Sequence, residues 1–103
     1  MLGELVKVFE RLKLKPSDVK IYSLLLNREL GVREIANELG LSTRFVRERL
    51  KELTKRGIVK RKLVEERWLG YRYAAEEPRE VVKKIKTQIL EEFLKIEKML
   101  GNA

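Results

Sequence analysis

Leu2, Leu5, Phe9 and Leu12 recur at helical spacing, and Val6 and Val8 widen the stripe, so residues 2–12 read as an amphipathic helix. Pro16 fits the first position of a second helix, residues 16–29, with Ser17 and Asp18 in its amino-terminal turn. Ile21, Tyr22, Leu24, Leu25 and Leu26 make this helix heavily apolar and place it at the centre of a core. Gly31 breaks the pattern. Val32, Ile35, Ala36 and Leu39 then form a short helix that Gly40 stops. Ser42 caps a further helix, along which Val46, Leu50 and Leu53 line one face until Gly57 ends it.

After Gly57 the period changes. Residues 58–64 and 71–74 are β-branched or aromatic stretches around a Gly-containing turn, the pattern of a two-stranded hairpin. Pro78 opens a long helix over 78–100, in which Val82, Ile85, Ile89, Phe93, Ile96 and Leu100 are separated by 3, 4, 4, 3 and 4 residues. Val81, Leu90 and Leu94 widen that row, and Glu80–Lys84 and Glu91–Lys95 are spaced to pair on the outside. A single small core cannot cover so long a stripe, so the row is expected to form a symmetric dimer interface. The fold class is α+β, mostly α. Residues 1–75 form one small domain and residues 76–103 a helix for dimerisation.

Composition narrows the chemistry. The 103 residues contain no Cys and no His, which removes thiol and imidazole catalysis, disulfides and Cys/His zinc sites. Asp18 is the only aspartate, so a clustered-Asp magnesium site is not expected either. No enzyme, no metal and no cofactor are anticipated. The longest uncharged run, residues 21–27, is too short to span a bilayer, so a cytoplasmic protein is expected. The absence of Cys, together with one Gln and three Asn, is a composition common at high temperature.

The net charge of +8 is localised. Residues 44–72 carry eleven basic and four acidic groups, or +7, whereas residues 76–103 carry six of each. So lopsided a segment is the footprint of a protein that meets phosphates. It begins on the second of two helices separated by a tight Gly-Leu-Ser turn, the pattern of a helix-turn-helix; an ordinary helical hairpin shares the same spacing.

With Val46 at the origin of a helical wheel, Leu50 and Leu53 fall within about 40° of it. Arg47, Lys51, Arg44 and Lys55 fall between about 100° and 180°, forming an outward basic stripe. Arg44 and Arg47 lie in the first two turns, where a recognition helix meets base edges. Ser42 and Thr43, with the free amides of the helix start, are placed to hold a phosphate. Glu48 either accepts from a cytosine amine or, the commoner outcome, pairs with Arg44 and Lys51. Arg49 leans toward the core and is expected to snorkel. The hairpin adds Lys60, Arg61, Lys62, Arg67 and Arg72, while Leu63, Tyr71 and Tyr73 are expected to pack on the helices. Trp68 near the tip either inserts into DNA or, more commonly, covers the hairpin. A basic hairpin following a recognition helix is either a solubilising surface or a wing.

Three stretches, LKLKPSDVKIYSLLL, VREIANELGLSTRFVRERLKELTKRGIVKRK and GYRYAAEEPREVVKKI, resemble the archaeal and bacterial TrmB-like winged-helix regulators over about residues 12–90. The resemblance implies a winged helix-turn-helix that binds double-stranded DNA as a homodimer, with residues 42–56 as recognition helix and 58–74 as wing. Gly31 stands where these proteins often have a capping Ser or Thr, and the effector-binding carboxy-terminal domain of larger members has no counterpart in these residues. A reading of another class remains: a winged-helix adaptor that docks on transcription machinery through its basic face. RNA binding is disfavoured by the scarcity of exposed aromatics, and adjacent acids such as Glu65–Glu66 do not converge as a catalytic pair.

Overall fold

A computed structural model describes residues 12–65 and 69–101. The expected helix over 2–12 lies outside these residues. The elements run α1 (Pro16–Leu25), α2 (Val32–Leu39), α3 (Thr43–Lys55), β1 (Val59–Glu65), β2 (Leu69–Ala75) and α4 (Pro78–Met99). This is a winged helix-turn-helix, mostly helical, with a two-stranded antiparallel wing.

Each boundary has a local cause. Pro16 starts α1, and Asp18 at its third position accepts from the Lys15 backbone amide at 2.7 Å. Gly40 takes the left-handed conformation (φ 66°) that closes α2 and turns the chain into α3. Ser42 caps α3, its Oγ accepting from the Phe45 amide at 3.1 Å. The expected helix over 16–29 is shorter than its apolar pattern suggests. It ends at Leu25 because Leu30 pairs with β2: its N–H donates to the Tyr73 carbonyl at 3.0 Å and its C=O accepts from the Tyr73 amide at 2.8 Å. A third, one-residue rung is thereby added to the wing, which a helical Leu30 could not provide.

Ile21, Leu25, Ile35, Val46, Leu50, Leu53 and Val59 are almost wholly buried, and Ala36, Ile58, Tyr73 and Val81 complete the core around them. The predicted inner face of α3 is therefore the one that packs. The hairpin departs from expectation. In its register Leu63 faces Tyr71 and Arg61 faces Tyr73, and only Tyr73 of the three expected packing residues is buried. Leu63 and Tyr71 are 55% and 44% exposed, because the strands run past the edge of the core before they turn.

Arg49 does not snorkel. Its Nε and Nη2 donate to the two carboxylate oxygens of Asp18, each at 2.8 Å, and Nη2 also reaches the Lys13 carbonyl at 3.2 Å. Asp18, expected simply as a first-turn acid, is a buried counter-ion joining α1 to α3. The hydrogen bonds to Asp18 raise the Arg49 pKa above its ordinary value.

Among the described residues, helix α4 meets the core at its beginning. Val81 is buried and Ile85 packs on the core, while Lys84 Nζ donates to the Gly57 carbonyl at 2.8 Å and Arg56 Nη2 donates to Gln88 Oε1 at 2.6 Å. The Tyr22 hydroxyl donates to the Glu76 carbonyl at 2.8 Å and anchors the link before α4; burial, then the nearby Glu76 charge, raises its pKa. Two expected surface pairs change partners. Glu80 meets Lys83 at 4.0 Å because Lys84 is occupied at Gly57, and Lys95 meets Glu92 at 3.5 Å rather than Glu91.

Candidate nucleic-acid interface

The outer side of α3 carries the predicted stripe. Arg44, Arg47, Lys51 and Lys55 are all exposed, and no acid among the described residues lies within ion-pair distance of any of them. That includes Glu48, whose expected pairing with Arg44 and Lys51 is not formed. Glu48 is itself exposed, and an exposed i, i+3 or i, i+4 pair yields too little to hold two long side chains together. Ser42 and Thr43 are exposed at the head of the helix, where Ser42 already occupies the Phe45 amide.

Between α3 and the wing runs an open groove. Arg47, Lys51, Thr54 and Lys55 line it from α3, Arg61, Tyr71, Arg72 and Tyr73 from the wing, and Val32, Arg33 and Glu34 from the start of α2. Arg61 lies over the Tyr71 ring, its guanidinium carbon 4.4 Å from the ring centre. Sequence reasoning missed Arg33, Thr54 and Tyr71 as wall residues, since the bridge from Leu30 to Tyr73 is what brings the start of α2 to this edge.

Strand alternation divides the predicted wing cations between two faces. Arg61 lines the groove with the α3 stripe, whereas Lys60 and Lys62 alternate onto the other face, and Arg72, the register partner of Lys62, lies at the groove's rim. Lys62 Nζ lies 3.3 Å from Glu29 Oε2, and Arg72 donates to the Glu29 carbonyl at 2.7 Å and lies 3.3 Å from Glu34 Oε1. Lys60 is exposed and has no such partner among the described residues. Arg67 lies outside the described residues.

The expected dimer row on α4 is also divided. Ile85 belongs to the domain's own core and Ile89 and Ile96 are half-buried, while Val82, Phe93 and Leu100 are 55%, 55% and 70% exposed. Leu90, Leu94 and Met99 are exposed as well.

Residues 9–79 match the family described as sugar-specific transcriptional regulator TrmB. The chain belongs to the TrmB family. The match covers the helix-turn-helix and the wing and ends in the first turn of α4, so it spans the elements that carry the basic surface. The family is one of transcriptional regulators. No curated protein matches this TrmB-family chain in sequence.

Solved structures share its fold. A possible transcriptional regulator from Methanosarcina mazei Go1 superposes with a TM-score of 0.78 at 16% identity, over 94% of this chain and 86% of that one. The reduced form of the transcriptional regulator YodB from B. subtilis gives 0.58 at 23% identity, over 94% and 90%. The homodimeric winged helix-turn-helix DNA-binding domain of a possible ArsR-family regulator from Mycobacterium bovis gives 0.55 at 21%, over 88% and 81%. No helix among the described residues is long and apolar enough to cross a membrane.

Proposed function

We propose that this TrmB-family regulator binds specific duplex DNA sequences as a homodimer. Helix α3 enters the major groove and the wing rests on the backbone or the adjacent minor groove. The observation that carries this reading is the stripe of exposed Arg44, Arg47, Lys51 and Lys55, without an ion-pair partner among the described residues and faced across the groove by Arg61. Arg44 and Arg47 are the base readers, since Arg meets guanine O6 and N7 with two hydrogen bonds. Lys51, Lys55 and Lys60 meet phosphates, joined at the head of α3 by Ser42 and Thr43. Arg67 and Arg72 extend the wing contact.

Residues 1–75 act as the DNA-binding unit and residues 76–103 as the dimerisation helix. Val82, Phe93 and Leu100 of each α4 cover those of a second copy, aided by Ile89 and Ile96. The homodimeric state of the Mycobacterium bovis domain supports this arrangement. Such a dimer presents two α3 helices to half-sites about 34 Å apart, and hence reads a palindrome. Selection of bound sequences from a random duplex pool tests the whole reading. A two-fold symmetric site with half-sites one helical turn apart is expected; recovery of no preferred sequence would refute it.

A further inference from the structure

The outer face of the wing holds two cations directly opposite each other, Lys62 and Arg72, which are register partners across the strands. Like charges in that position repel. The relief comes from outside the hairpin, where Glu29, in the link between α1 and α2, offers its carboxylate to Lys62 at 3.3 Å and its carbonyl to Arg72 at 2.7 Å. A DNA phosphate brought to this face would play the same part. Lys62 and Glu29 are 69% and 47% exposed, so their pair is accessible and exchangeable.

We propose that Glu29 is an internal competitor for the phosphate that Lys62 would meet, so that the outer wing face holds back sequence-independent affinity. This rests on the duplex-binding reading above. Glu29 must give up Lys62 whenever the outer face engages a backbone, whereas Arg44, Arg47 and Lys51 have no acid within ion-pair distance among the described residues. The effect is to weaken binding to random duplex through the wing without touching the base-reading end of α3.

The test is a salt titration of random-sequence duplex binding for the full chain and for Glu29→Gln, Lys62→Gln and the double variant. Gln keeps the backbone carbonyl that holds Arg72, and thermal unfolding of each variant verifies the fold. Glu29→Gln should bind random duplex more tightly at low salt and steepen the log–log salt slope by up to about 0.9, the value of one phosphate contact. That slope corresponds to roughly 3.5-fold more affinity lost between 50 and 200 mM salt. Both changes should vanish when Lys62 is already Gln. An unchanged Glu29→Gln, or the same gain in the Lys62→Gln background, would overturn the proposal while leaving duplex binding intact. Failure of the unaltered chain to bind any duplex would overturn the duplex reading itself, and this inference with it.

Discussion

Asp18 and Arg49, thirty-one residues apart, form a two-bond ion pair in which the carboxylate is buried and the guanidinium side chain only 12% exposed. The pair orients α3 against α1 from the side opposite the groove. Its worth lies in geometry, because removing either partner strands the other away from water. Asp18→Asn is expected to cost about 3 kcal/mol of unfolding free energy, as is Arg49→Met. The double variant should cost no more than either single one. Denaturant unfolding of all four proteins measures the coupling, and strictly additive losses would show that the pair holds nothing.

Arg47 and Lys60 should separate base reading from phosphate contact. Arg47→Ala is expected to relax preference at one operator position and cost about 1–3 kcal/mol there. Lys60→Gln should weaken every duplex alike and flatten the salt slope by about 0.9. Competition titrations against single-base operator variants measure the first effect, and equal losses on operator and random duplex would remove Arg47 from the readers.

If the wing meets DNA as proposed, Tyr71 is expected to act through Arg61. The exposed stack holds the guanidinium over the groove at a favourable interaction of about 0.5–1 kcal/mol. Tyr71→Phe keeps an aromatic face and should bind duplex as the parent does, whereas Tyr71→Ala should lose roughly two- to fivefold in affinity. If the Phe variant fell with the Ala variant, the hydroxyl rather than the stack would be the active element.

Phe93 tests the assembly without disturbing the domain, since it is 55% exposed and makes no part of the core. Phe93→Glu places a charge in the middle of the expected seam. Sedimentation equilibrium should find the parent as a dimer and the variant as a monomer, with the thermal unfolding of the winged helix retained. A variant of unchanged mass would exclude this face of α4 as the interface.

Much of this molecule was legible because local rules and tertiary structure agree. Gly40, Ser42 and Pro78 act where they stand, and the Val46–Leu50–Leu53 face follows from periodicity alone. What escaped depended on partners distant in sequence. Nothing local distinguishes Asp18 as a helix-start acid from Asp18 as the counter-ion of Arg49. Leu30 looks like the end of a helix until Tyr73 claims its backbone. The same holds for Lys62 and Arg72, which as residue types are phosphate ligands and in place are held by Glu29 and Glu34. Leu63 and Tyr71 were misread because alternation tells which face a residue takes, but not how far the core extends beneath it.

The contacts of Lys84 with Gly57 and of Gln88 with Arg56 fasten α4 to the chain segment that immediately ends α3. From Gln88 the helix continues to Met99, a further stretch of roughly 16 Å at 1.5 Å per residue. Turning that stretch by 10° about its root would move its tip by roughly 3 Å, close to the 3.4 Å rise of one base step. In the proposed two-fold assembly, then, the hydrogen bonds at the root of α4 would act as part of a measuring gauge. The stiffness of that root would then bear on whether the dimer accepts an operator one base pair too long.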